Sequence, residues 1–132
     1  MTPSMQPPRE TTFLNVDLIL RGPVGLSTLL SALGDSVLVL HADDQGACLE
    51  LPEPPATPEE AVTRFCSLIT GLPAGARDEW NRCSERTLDV GIQAGDVPHE
   101  ARYRLPAPAL ALAASLGADV VFTVYGLPAR NG

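Results

Sequence analysis

The order in which hydrophobic periodicity switches along this chain constrains its fold more than any other feature. In "TTFLNVDLILRG", Leu14, Val16, Leu18 and Leu20 alternate with Phe13, Asn15, Asp17 and Ile19. That is a strand with one apolar and one mixed face. After "GPVG", the stretch "LSTLLSALG" sets Leu26, Leu29, Leu30 and Leu33 on one helical stripe, with Gly34 as C-cap. "SVLVLHAD" and "ACLELP" read as two short strands. "DDQG" joins them, and Gly46 is expected to supply the positive φ of a hairpin turn. "PEPPATP" is a stiff connector to a second helix, with Thr57 as N-cap, Pro58 at its first position and Glu60 completing a capping box. Ala61, Val62, Phe65, Leu68, Ile69 and Leu72 continue its apolar stripe, and Gly71 and Pro73 end it.

"RDEWNRCSER" (residues 77–86) then forms a short helix, roughly over residues 75–85, with Trp80 and Cys83 on its apolar side. Its three arginines and three acids leave it neutral, and they are expected to pair with one another. "RTLDVGIQAG" returns to period two, with Leu88, Val90 and Ile92 opposite Thr87, Asp89, Gly91 and Gln93. "DVPHEARYRLPAP" is a long connection with an extended piece expected at Ala101–Leu105. "ALALAASLG" is a helix capped by Gly117, and "ADVVFTVYG" is the last strand.

The first six major elements spell βαββαβ, so the expected fold is an α+β two-layer sandwich: a ferredoxin-like βαββαβ core with an added helix and strand. Leu14, Val16, Leu18, Leu88, Val90 and Ile92 should be buried under helices that carry Leu30, Phe65 and Leu112. At 132 residues there is room for one domain, expected over residues 11–127. A proline-rich, disordered lead is expected over residues 1–10 and a short tail over 128–132.

Charge narrows the function. The net charge is −7, and all nine basic residues are arginines. A phosphate backbone or an anionic membrane needs clustered positive charge, so neither nucleic acid nor membrane is an expected partner. No apolar run reaches the roughly 20 residues of a membrane span, and the N-terminus lacks a signal-peptide pattern. Cys48, Cys66 and Cys83 are odd in number and scattered, which fits free thiols in a cytoplasm. A catalytic thiol needs a base, and nothing near Cys83 supplies one. His41, Asp43 and Asp44 sit at a hairpin but make too small a set for a metal. No phosphate-binding glycine spacing occurs. The expectation is no catalytic residue, no metal and no cofactor.

Two surfaces remain as candidates. The stretch from Asp35 through Asp43, Asp44, Glu50 and Glu53 to Glu60 contains no arginine, and a basic protein would dock on it. The alternative is the mixed face of the sheet, where Asn15, Asp17, Asp89, Gln93, Thr123 and Tyr125 all point away from the apolar residues. There Asp17 and Asp89 would serve a small-molecule-binding or hydrolytic site as paired carboxylates.

The tail "LPAPALALAASLGADVVFTVYG", with "RTLDVGIQAG" before it, resembles the ends of small uncharacterised bacterial α+β domains. Some of those are immunity proteins, which neutralise a toxin by binding it. The resemblance covers about the last third of the chain and rests on a helix, Leu-Gly-Ala and a strand ending in Tyr. It carries no catalytic residue, and it implies a non-catalytic protein-binding domain with a toxin as partner. A structural subunit that forms a homodimer through its sheet is the third reading.

Overall fold

The computed structural model describes residues 7–22 and 25–127. Its elements are β1 (Thr12–Arg21), α1 (Ser27–Leu33) followed by one 3₁₀ turn (Gly34–Ser36), β2 (Leu38–Asp43), β3 (Gly46–Glu50), α2 (Pro58–Thr70), α3 (Ala74–Arg82), β4 (Glu85–Gln93), α4 (Ala107–Ser115) and β5 (Asp119–Tyr125). The five strands make one mixed sheet in the order β2-β3-β1-β4-β5. β1 runs antiparallel to β3 and β4, β2 antiparallel to β3, and β5 parallel to β4. Helices cover one face, so the chain is a two-layer α+β fold. Among the described residues no helix is long and apolar enough to cross a membrane.

The helix-side core is where alternation places it. Val16, Leu18 and Leu20 of β1, Leu49 of β3 and Leu88, Val90 and Ile92 of β4 are buried with Leu29, Phe65, Ile69 and Trp80 from the helices. Half of the expected capping box forms at α2: Thr57 Oγ1 accepts the Glu60 N–H at 3.2 Å, while Glu60 Oε2 reaches past the N-cap to accept the Ala56 N–H at 3.3 Å.

Four expectations need correction. Leu14 is 44% exposed. A β-bulge between Phe13 and Asn15 adds a residue to β1, so Phe13 pairs with Ile92 and packs on the core while Leu14 turns outward. Leu112 is 41% exposed, because α4 buries its small side, Ala109 and Ala113, and packs against α2. Gly46 does not take positive φ. It is required for close approach: a Cβ there would collide with the Leu20 carbonyl oxygen on β1. Ala101–Leu105 forms no strand. Of the expected lead, residues 1–6 lie outside the described residues, as does the tail from 128. Arg9 is tied to the far loop, its carbonyl accepting the N–H groups of Asp96 at 2.6 Å and Val97 at 3.1 Å.

Candidate functional site: an acidic row on the open sheet face

The face of the sheet away from the helices is uncovered. Cross-strand partners share a face in a pleated sheet, so the register states which side chains are neighbours there. One row crosses all five strands. It runs Leu38, Glu50, Asp17, Asp89, Val121. Three carboxylates stand side by side with an apolar residue at each end. Directly opposed Cβ atoms lie about 4.5–5.5 Å apart, and like charges at that spacing destabilise a sheet.

Asp17, in the middle, carries the consequence. Its carboxyl is pushed up to about 6 by partial burial, by a hydrogen bond with Glu50 and by the charges of Glu50 and Asp89. Asp89 is held from the other side, where Thr123 Oγ1 donates to its Oδ1 at 2.7 Å. On the next row Asn15, Gly91 and Thr123 are registered together. The Val16 N–H donates to Asn15 Oδ1 at 2.8 Å beside the bulge. The Tyr125 ring lies over β4 at Gly91, where a Cβ would meet it at an ordinary contact distance of 3.8 Å. Leu14, Asn15, Asp17, Glu50, Asp89, Gly91 and Tyr125 line a shallow hollow of about 220 Å³.

The structure thus brings together the four alternative sheet-face residues, Asn15, Asp17, Asp89 and Tyr125. It adds Glu50, which the sequence places in the other candidate group. The remaining members of that group are spread out. Asp35 lies in the 3₁₀ turn, Asp43 and Asp44 at the β2–β3 hairpin tip and Glu53 in the loop after β3, all exposed. Glu50 is separated from the hairpin tip by the length of β3. Asp43 is held below the usual carboxylate range by the Gln45 N–H, 2.8 Å from its Oδ1, and by His41, whose Nε2 lies 3.0 Å from its Oδ2. A second hollow of about 190 Å³, lined in part by Arg21, His41, Asp43 and Cys48, lies beside that pair. Burial and the nearby Asp17, Glu50 and Asp89 push the Cys48 thiol up, away from an active thiolate.

Leu14 escaped sequence reasoning because a bulge leaves no periodic trace. Leu38 and Val121 escaped it because cross-strand register is not written in any single segment.

The segment 77–86 contrasts with the face. Trp80 is 1% exposed, and its Nε1–H donates to the Leu116 carbonyl at 3.0 Å. Arg86 lies with its guanidinium carbon 5.9 Å from the Trp80 ring centroid. It donates to the carbonyls of Trp80 (3.1 Å), Asn81 (3.3 Å), Cys83 (2.9 Å) and Gly117 (3.0 Å), so one guanidinium closes the C-terminal ends of both α3 and α4. Glu79 Oε1 accepts the Leu29 N–H at 2.8 Å, satisfying an N-terminal donor of α1 that has no cap of its own. Arg82 reaches the Asp78 carbonyl at 3.4 Å, and Glu85 pairs with Arg21 across strands at 3.3 Å. The expected arginine–acid pairing within this segment is corrected: among the described residues Arg82 and Arg86 bind backbone carbonyls, and no ion pair joins two of its members. Cys83 is buried, its thiol pushed up chiefly by burial.

Among the described residues no group of three or more His, Cys, Asp or Glu is placed to hold a metal ion. Comparison with protein-family models, curated proteins and solved structures returns no match.

Proposed function

We propose that this chain is a non-catalytic protein-binding domain whose open sheet face receives a basic segment of a partner protein. One observation carries the reading: Glu50, Asp17 and Asp89 are registered side by side with no basic side chain in their row. Such a row costs stability, and a cationic partner removes that cost on binding. Leu38 and Val121 at its ends, with Leu14 and Tyr125 nearby, offer apolar contact around the charges. A toxin-neutralising immunity protein is the most concrete form of this function, because an acidic face suits a toxin whose working surface is basic. Cytoplasmic residence goes with it, supported by three free cysteines. For the topology we propose the ferredoxin-like core, with α4 and β5 appended. The order β2-β3-β1-β4 with every neighbouring pair antiparallel supports it.

The test is a titration of an arginine-rich peptide into isotope-labelled protein, followed by NMR. Shifts should concentrate on Asp17, Glu50, Asp89 and their row, and the triple variant Asp17→Asn, Glu50→Gln, Asp89→Asn should abolish them. Shifts confined to the hairpin tip at Asp43 and Asp44 would move the docking surface there. Absence of binding at low salt would remove the proposal.

A second reading rests on one feature, an acid near 6 beside a second carboxylate on the adjacent strand. General acid–base hydrolysis uses paired carboxyl groups of this kind. The hollow of about 220 Å³ is small for it, since most ligand sites measure about 300–1,000 Å³. Ester or glycoside turnover lost in Asp89→Asn would favour this reading.

A further inference from the structure

We infer that two copies of this chain join edge to edge through β5, in antiparallel register, to form a continuous ten-stranded sheet. The inference goes beyond the proposed binding role of the open face and rests on different residues.

A sheet has two edges, and this one treats them differently. β2 is interrupted by a bulge between Val39 and His41 and ends in the His41–Asp43 pair. Both features blunt an edge against pairing. β5 has neither. Its register with β4 runs unbroken from Asp119 to Tyr125, with no proline and no charge after Asp119. Among the described residues nothing pairs with its outer side.

The helix layer also stops short of this edge. Phe122 and Val124 pair with Val90 and Ile92, which are buried on the helix side, so they face the same way. Yet Phe122 is 48% exposed and Val124 59%. An apolar strip on the covered face of a sheet is left without its cover. α4 beside it is uncharged, with Leu110 and Leu112 exposed.

Charge selects the occupant. From Leu105 to Leu127 the only charged residue is Asp119, in a chain of net charge −7. A second copy repels this molecule at most approaches, and least here. Antiparallel pairing about a two-fold axis also sets the two Asp119 residues at opposite ends, whereas parallel pairing would oppose them. The same axis brings Phe122 and Val124 of both copies into the gap between the two helix layers. Each copy supplies the cover the other lacks.

The test is sedimentation equilibrium on the full chain, with Val124→Lys and, on the other edge, Val39→Lys. Both positions are exposed, and circular dichroism and thermal melts verify folding. The wild type should sediment as twice the 13.9 kDa chain mass at micromolar concentration. Val124→Lys should raise the dissociation constant by on the order of a hundredfold, because it buries a lysine beside its symmetry mate. Val39→Lys should leave the dimer intact. Should Val124→Lys unfold, hydrogen exchange on the wild type decides: the outward amides of β5 must gain protection as concentration rises. A wild-type monomer throughout, a dimer broken by Val39→Lys instead, or β5 amides that exchange equally at all concentrations would overturn the inference.

Discussion

Residues 77–86 bring three arginines and three acids within ten consecutive positions, whereas Asp17, Glu50 and Asp89 come from three separate strands. The dense segment uses its charge to finish the backbone. Arg86 closes two helix ends, and Glu79 satisfies a third. The dispersed set has no such internal use. Its carboxylates face one another, and the middle one is pushed up to about 6 as a result. Chemical density along a sequence therefore marked a structural joint. Charge left unsettled in space marks the surface to which we propose a partner binds.

The contrast can be broken at the joint first. Trp80→Ala removes the largest buried side chain and its bond to the Leu116 carbonyl. Stability should fall by about 3–5 kcal/mol, read from urea denaturation. Binding at the open face should survive in whatever fraction stays folded. A Trp80 variant that melts like wild type but loses binding would reassign this segment as the site.

Arg86→Lys comes next. A single ammonium cannot reach four carbonyls in two helix ends, so the loss should be about 1–3 kcal/mol. The same assay measures it. A loss near zero would mean that water replaces the fork without cost.

The smallest stability effect has the opposite sign. Asp17→Asn relieves the like charges beside it and should stabilise the fold at neutral pH, by up to about 1 kcal/mol. The pH profile sharpens the point. The Asp17 carboxyl binds its proton more tightly folded than unfolded, so it favours the folded state most below its ordinary value of 3.8. This contribution is lost as pH rises through about 6. In Asp17→Asn that part of the decline should vanish. A destabilised Asp17→Asn at neutral pH would show that the row supports the fold rather than burdening it.

Much of this was legible in the sequence, and what was not has physical causes. Period-two and period-3.6 patterns placed the elements that bury one face, whereas β2, exposed along its whole length, was legible from its apolar residues and the turn after it. The β1 bulge was invisible, since one extra residue changes the parity of Phe13 and Leu14 without altering their hydrophobicity. Asn15, Asp17, Asp89 and Tyr125 could be placed on one face by alternation alone. Glu50 could not be joined to them, because β1 pairs with β3 through a long-range register that neither strand encodes. Arg86 was misread for a related reason: helix ends attract cations from outside the helix, and sequence spacing tests only neighbours within it.

The central claim is that the open face holds an unneutralised carboxylate row poised for a cation, and Asp17 itself reports on it. Its side-chain carboxyl should be followed by NMR across pH, with and without an arginine-rich peptide. Alone, it should titrate at about 6, and with peptide bound the midpoint should fall, because a neighbouring cation favours the ionised form. A midpoint near the ordinary 3.8, or one near 6 that saturating peptide leaves unmoved, would contradict the account.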